Sequence, residues 1–487
     1  MRRIVVVGGG NAALCAAIAA CEQGSEVVLL ESAPFEARGG NSRFAGGGFR
    51  TRYGGPEDLL SLMPDLSESE IERSEFGTYD REQYYEDLCR LSQYRTDPAL
   101  AHMVAEQSLP TLQWMRGKGV RFLPLYRRQS HEIDGKQRFW GGLTVEAVGG
   151  GAGLVDALNQ IAKRLKVAVS YSCRATNLKM HRSERTVVGV VAAGESIDAD
   201  AVVLACGGFE SNSAWRARYL GSNWDLARVR GTRYNIGDGI RMALDVGAMP
   251  HGHWSGCHAV AWDLNAPDYG DLSVGDSFQK HSYPLGIMVN ADGRRFVDEG
   301  KDFRNYTYAS YGAAILGQKG HFAWQVFDAK TTPLLRDEYR VPQVTKVSSS
   351  SLEGLARQMS DVDANGFLDT VRRFNESVRT DADFNPSIKD GRCANDGIVA
   401  KSNWANPIST PPFEAYGVTC GITFTFGGLH IDENARVLNV SESPVGNLYA
   451  AGEIVGGLYY HNYPGGSGLT SGAVLGRIAG TSAALGL

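Results

Sequence analysis

The sequence predicts an α/β fold in which one domain is built from both ends of the chain and a smaller α+β domain is inserted in it. Three observations carry this expectation. The chain opens on VVVGGGNAALCAAIAACEQGSEVVLLE, which reads as strand, glycine turn, helix and second strand in that order. The buried-strand pattern returns as DADAVVLACGG (198–208) and as NLYAAGEIVGG (447–457). Between them the composition shifts to aromatic residues, loops and Asn/Asp turns. The expected division is therefore 1–250 and 411–487 for the first domain, with 251–410 as the insert.

The opening stretch justifies itself residue by residue. Ile4 to Val7 is an apolar β-branched run, the pattern of a strand covered on both faces. Gly8, Gly10 and Ala13 then fit G-x-G-x-x-G/A, where small residues permit a tight turn and close helix–strand packing. The helix is expected from about Ala12 to Gln23, with Gly24 as its stop. Its first backbone N–H groups, around Asn11 and Ala12, would face a pyrophosphate. Val27 to Leu30 form the second strand. Glu31, followed by Ser32, ends it where a carboxylate would bind a ribose hydroxyl. This is a Rossmann-like dinucleotide-binding unit.

Farther along, the segment from Pro56 to about Trp140 is polar and helix-like, its acidic clusters reading as solvated faces. DPALAHMVAEQSLPTLQWMRGKGV spaces its apolar residues as a helix, with Gly117 and Gly119 as the expected end. GLVDALNQIAKRL (153–165) is an amphipathic helix. VAVSYSC, TVVGVVAAG and DADAVVLACGG read as strands. In the insert, SSSSLEGLARQM and FLDTVRRFNESV read as helices.

Bulk properties narrow the function classes. A net charge of −5 argues against a polyanionic partner, because nucleic-acid binders carry a basic excess. The eight cysteines include no C-x-x-C pair and several lie in apolar runs, so buried thiols are expected rather than disulfides or a metal site. Met1-Arg2-Arg3 runs straight into the first strand, and no apolar run approaches a bilayer span, so a cytoplasmic location is expected.

The choice of dinucleotide comes from further motifs. GGNSRFAGGG (39–48) follows Glu31, ACGGF (205–209) ends a strand, and YPGGSGLTSG (463–472) opens the last helix after NLYAAGEIVGG. That helix could point its dipole at an electron-rich flavin edge. In this order the motifs resemble the flavoprotein superfamily of fumarate reductase, succinate dehydrogenase and 3-ketosteroid dehydrogenase. The resemblance implies FAD. It implies that Gly8, Gly10, Ala13 and Glu31 hold the ADP half, beside Asn11, Ala12 and Ser32. Asn41, Ser42 and Gly47, with Gly40 and Gly48 in the same run, would lie along the isoalloxazine. Asp238 of TRYNIGDGI and Glu453 would touch the central part and ribityl chain. Ser467, Gly468 and Leu469 would cap the pyrimidine edge, with Ala175, Ala205, Gly207, Gly452 and Gly466 at the accompanying turns. Some members attach FAD through a histidine after the acidic strand end. GGNSRFAGG has none, so non-covalent FAD is expected.

WSGCHAVAWDLNAPDYGD, QKHSYPLGIMVN, FWGGLTVEA and YYHNYPGGSGLTSG narrow the resemblance to FAD-dependent tricarballylate dehydrogenases. The flavoprotein part of a cobalamin-pathway enzyme resembles the chain as well. The tricarballylate resemblance implies oxidation of tricarballylate to cis-aconitate, with electrons passing to a membrane-associated iron–sulphur partner. An insert closing over the flavin would exclude water. RRFVDEGKDFRN (294–305) resembles the fumarate reductase stretch whose last arginine exchanges a proton with substrate. That maps to Arg304, with one extra residue after Glu299. An arginine is a poor base in water, so a carboxylate relay through Asp298, Glu299 or Asp302 is expected to support it. The resemblance places His258 of SGCHAV at a substrate-binding position. Two carboxylate ligands of the fumarate reductases are replaced: Tyr463 stands for an arginine, and ITFTFGG lacks a histidine. His461, Lys280, His281, Arg127 and Arg128 are the candidate anion partners. A 3-ketosteroid dehydrogenase-like enzyme, in which a tyrosine such as Tyr463 polarises a carbonyl, remains an alternative. So do a fumarate reductase-like enzyme and an electron-relay subunit.

Overall fold

The computed structural model describes residues 1–140, 142–181 and 185–487, with the side chain of Arg127 also outside the described set. Two compact units divide the chain. The first comprises 1–225, 231–257 and 423–487, and the second 226–230 and 258–422. Both later crossings fall within long strands, Pro250–Asp263 and Phe413–Leu429. They do not fall at the loop-rich positions near 250 and 410 suggested by composition, which registers turns but not a strand continuing past a boundary.

In the first unit, the strands Arg3–Val7, Glu26–Leu30, Ala168–Ser170 and Ala201–Leu204 run parallel with Pro444–Ala450. Arg436–Leu438 closes one edge antiparallel. The order places Arg3–Val7 centrally, flanked by Ala201–Leu204 and Glu26–Leu30, and its Ile4, Val5 and Val6 are wholly buried. A parallel strand covered on both faces demands such a continuous apolar run. The helix Asn11–Glu22 follows the first strand directly, and the last helix, Ser467–Leu485, packs along it. Two glycines make that approach possible: a Cβ on Gly476 would stand 2.4 Å from the Ala12 carbonyl oxygen, and one on Gly480 2.1 Å from that of Ala16.

Local rules account for most element ends. Asp97 caps Pro98–Lys118 with proline at its first position. That helix runs through Gly117 and stops at Gly119, the only one of the two in the left-handed conformation, with φ 113°. The strand Ala175–Met180 belongs to a separate antiparallel sheet with Val187–Ala192 and Glu195–Asp198.

The second unit is built on a mixed sheet in which Phe413–Leu429 pairs antiparallel with Phe322–Phe327 and Lys346–Ser349, and parallel with Arg228–Val229. The helices Leu352–Gln358 and Ala364–Ser377 bury Leu355, Phe367, Val371 and Phe374 against Ile287, Trp324 and Val326. The observed architecture is the expected α/β dinucleotide fold with an α+β insertion. No helix among the described residues is long and apolar enough to cross a membrane, and the eight cysteines are thiols rather than disulfide partners.

Candidate functional site

The glycine turn of the first unit opens onto a solvent-accessible groove. Gly8 to Ala12, Glu31, Ser32, Gly40 to Ser42, Ala205, Gly207 and Glu453 line it. The turn is possible only with glycine. Gly8 has φ 116°, and its Cβ would stand 2.3 Å from the Ala205 carbonyl oxygen. A Cβ on Gly9 would stand 2.3 Å from Glu31 Oε2. Glu31 is 5 % exposed and accepts from the Ala33 N–H at 2.9 Å and the Ser32 hydroxyl at 3.3 Å. Burial raises its carboxyl above the usual range, while those donors pull it back.

Asn41 ties the groove together. Its Nδ2 donates to Glu210 Oε1 at 2.7 Å and to the Thr423 carbonyl at 2.6 Å, and its Oδ1 accepts from the Thr232 N–H. Ser42 Oγ accepts from the Asn11 N–H at 3.0 Å. Asn11 Nδ2 in turn donates to the Leu469 carbonyl at 2.8 Å, joining the glycine turn to the start of the last helix. Around that start, Gly468 N–H donates to the Tyr463 hydroxyl, Tyr84 donates to Ser467 Oγ, and buried Arg50 donates to the Gly465 carbonyl. Gly466 takes φ 86°.

Glu453 accepts from the Thr425 N–H at 2.9 Å. Burial raises both it and Glu210, and Glu210 most, because the charge of Glu453 adds to its burial. Glu210, Thr232, Tyr234 and Asn235 were not anticipated. Glu210 stands one residue past the ACGGF strand end, and Asn235 lies three residues before Asp238, so both were within reach of the motifs that pointed to their neighbours.

Other expected cofactor residues are engaged differently. Asp238 forms a bidentate pair with Arg174 at 2.6 and 2.7 Å. Ala13 is fully buried in its helix, and Ala175 pairs with Ala192 in the separate sheet. Gly47 packs on Gly150, Gly48 begins a short strand, and Gly452 packs on Ala12. His461 is exposed, its N–H donating to His253 Nδ1. Arg128 lies by Glu146, whose carboxyl burial raises to about 7 against the opposing charge of that arginine. The candidate side chain of Arg127 lies outside the described residues.

In the second unit, Tyr308 is the hub of a buried cationic cluster. Its ring meets His258 and His281 edge-on, each at 4.9 Å between centroids, and the Arg304 guanidinium lies 5.4 Å from it. His258 and His281 are 1 % exposed, and among the described residues neither ring nitrogen of His281 has a hydrogen-bond partner. Burial drives both histidines well below their usual value. The charge of Arg230 adds to this at His258, and those of Arg304, Arg230 and Arg336 add at His281. Both rings are therefore neutral. Arg304 itself is pushed down to about 9, first by burial and then by Arg336.

The candidate relay acids Asp298, Glu299 and Asp302 each have partners of their own. Glu299 is taken by Arg295 at 2.6 Å and by the Met288 N–H, and Asp298 accepts from the backbone of Gly300 and Ser402. Asp302 accepts from the Phe303 N–H and lies 3.7 Å from Lys389. Lys280 is also committed: its ammonium donates to the carbonyls of Ser277, Phe278 and Gln279 and lies 3.5 Å from Asp263, so it fastens its own loop.

The groove fits FAD: a glycine turn at a helix N-terminus suits a pyrophosphate, and Glu31 suits a ribose. Comparison with known proteins agrees. The FAD binding domain family matches residues 3–469. A probable fumarate reductase, Ifc3, from Shewanella frigidimarina (strain NCIMB 400) is 28% identical over 492 residues, covering 99% of this chain and 74% of that protein. The open conformation of a flavocytochrome c3 fumarate reductase superposes with a TM-score of 0.73 at 26% identity, covering 99% of this chain and 78% of the other. The 3-ketosteroid delta1-dehydrogenase from Sterolibacterium denitrificans shares the fold, with a TM-score of 0.75 at 22% identity over all of both chains. The chain belongs to the FAD binding domain family and is an FAD-dependent oxidoreductase that is similar to fumarate reductases and shares its fold with 3-ketosteroid dehydrogenases.

Proposed function

We propose that the chain oxidises a carbon–carbon single bond beside a carboxylate in a small polycarboxylate, with tricarballylate to cis-aconitate as the substrate pair. The environment of Arg304 carries this reading. Desaturation removes a hydride from one carbon and a proton from its neighbour. FAD, when bound, supplies the two-electron acceptor. The proton needs a base on the protein, and an ordinary arginine is too strongly protonated to serve. With its value at about 9, on the order of one Arg304 in a hundred is neutral at pH 7, enough to accept a proton reversibly.

The same cluster supports an anionic substrate. Arg230, Arg304 and Arg336 add positive charge around two histidines that burial already holds neutral. Among the described residues His281 has two unpartnered ring nitrogens, so it can donate to a carboxylate oxygen from one of them. A substrate with several carboxylates offsets this charge where a neutral sterol does not. In the first unit Tyr463 takes the place of the fumarate reductase arginine, with its hydroxyl on the Gly468 N–H. That departure favours a polycarboxylate other than succinate. In the first unit, non-covalent FAD would lie along Gly8 to Ala12, Glu31, Asn41 and Glu453. Reoxidation would fall to an iron–sulphur partner.

The test is product formation with an artificial electron acceptor. FAD-loaded protein given tricarballylate should yield cis-aconitate, identified by NMR. Turnover of a 3-ketosteroid with no cis-aconitate would overturn the reading.

A further inference from the structure

Asp97, His251 and His430 converge in the first unit, outside the residues that line the flavin groove. Each is held from behind. Asp97 Oδ1 accepts from the Ala99 and Leu100 N–H groups at 2.9 and 3.2 Å, and the Asp97 N–H donates to the Gly457 carbonyl at 2.8 Å. This leaves Oδ2 aimed at two imidazoles, 3.8 Å from His251 Nε2 and 4.0 Å from His430 Nε2. The two rings stack, with centroids 4.2 Å apart and planes at 28°. The main chain of His430 is fixed by hydrogen bonds to Met249 and Leu438. Gly457, at φ 98°, leaves the space that the His251 ring occupies, since a Cβ there would stand 2.6 Å from it.

The arrangement is incomplete as it stands. Distances of 3.8 and 4.0 Å are too long for hydrogen bonds, and among the described residues His251 Nε2 is buried without a partner. All three ligand atoms lie within 4.8 Å of one another. Metal–ligand bonds of about 2.0–2.2 Å set neighbouring ligand atoms of a tetrahedron about 3.3–3.6 Å apart, so closing the site takes shifts of about 0.2–0.7 Å between Asp97 and the imidazoles and of at most about 1.5 Å between the imidazoles.

We propose that Asp97, His251 and His430 bind one divalent transition-metal cation through one carboxylate oxygen and two imidazole nitrogens. Two imidazoles favour zinc or a similar ion over magnesium or calcium, which prefer all-oxygen sites. Side-chain exposures of 21, 24 and 19 % leave the site open to entry from solvent and to water as the remaining ligands. The ion ties the start of the helix Pro98–Lys118 to the first-unit ends of the strands Pro250–Asp263 and Phe413–Leu429.

Zinc is the probe. Chelator-treated, FAD-loaded protein titrated calorimetrically should bind one equivalent. Zinc-edge X-ray absorption should show nitrogen and oxygen neighbours at about 2.0–2.1 Å and no sulphur at about 2.3 Å. His430→Ala and, as a second variant, His251→Gln should lose that equivalent while keeping their flavin absorbance. Asp97→Asn should weaken it at least about tenfold. If one histidine variant fails to load flavin, the other variant and the wild-type spectrum still decide. Absence of stoichiometric zinc, sulphur ligation by cysteine thiols, or unchanged binding in a flavin-loaded histidine variant would each overturn the proposal.

Discussion

Glu210 and Glu453 share one donor: Asn235 Nδ2 donates to Glu210 Oε1 at 2.7 Å and lies 3.4 Å from Glu453 Oε2. Two buried carboxylates on one amide cannot both be ionised cheaply, and Glu210 takes the proton.

The pH dependence of stability follows from this pair. The folded-state value of Glu210 lies well above the ordinary 4.5, so the fold binds a proton that the unfolded chain releases. Stability is therefore lost as pH rises past 4.5 toward the folded value, at up to about 1.4 kcal/mol per pH unit. Glu210→Gln keeps an Oε1 acceptor for Asn41 and Asn235 and has no proton to lose. Its unfolding free energy relative to wild type should rise between pH 5 and pH 7 in denaturant titrations. A difference independent of pH would show that Glu210 is ionised in the fold.

Arg304→Lys separates chemistry from binding. Removing a positioned proton acceptor should slow substrate-driven flavin reduction about 10²–10⁴-fold, while ligand affinity changes little. In the wild type, flavin reduction by substrate should speed up as pH rises toward about 9 and then level off, because the neutral guanidine is the active form. A pure loss of affinity in rapid-mixing kinetics would make Arg304 an anion clamp only.

Tyr463→Phe distinguishes two uses of one hydroxyl. The substitution strands the Gly468 N–H, which should cost about 1 kcal/mol of stability. Turnover of tricarballylate should fall less than about tenfold. A collapse of turnover with intact FAD content would instead assign Tyr463 the carbonyl-polarising role of a ketosteroid enzyme.

Gly480→Ala probes the packing of the two helices on the central sheet. A Cβ 2.1 Å from the Ala16 carbonyl oxygen forces them apart, at about 1–3 kcal/mol. Alanine's better helix propensity offsets about 1 kcal/mol. A net loss of stability in chemical denaturation is expected, and a net gain would contradict the observed contact.

How far these features are visible in the sequence depends on how local they are. Gly8, Gly10 and Glu31 are legible because a strand, a turn and a strand end write themselves within about thirty residues. The helix end at Gly119 was legible only as one of two glycines, since which takes the left-handed conformation is decided by the backbone. Asp238 sits in a plausible motif but is drawn to Arg174, sixty-four residues away, and no spacing rule registers such a pairing. The depression of Arg304 comes from burial and from Arg336, thirty-two residues away, which no run of neighbouring residues announces. Asp97, His251 and His430 come from three distant segments, so no ligand spacing announces them.

The most direct test of the central claim is anaerobic mixing of FAD-loaded protein with tricarballylate, succinate or a 3-ketosteroid, following the visible absorbance of the oxidised flavin. The account predicts bleaching by tricarballylate, little or none by succinate or the steroid, and loss of the tricarballylate response in Arg304→Lys. Bleaching by the steroid alone, or by tricarballylate equally well in Arg304→Lys, would contradict it.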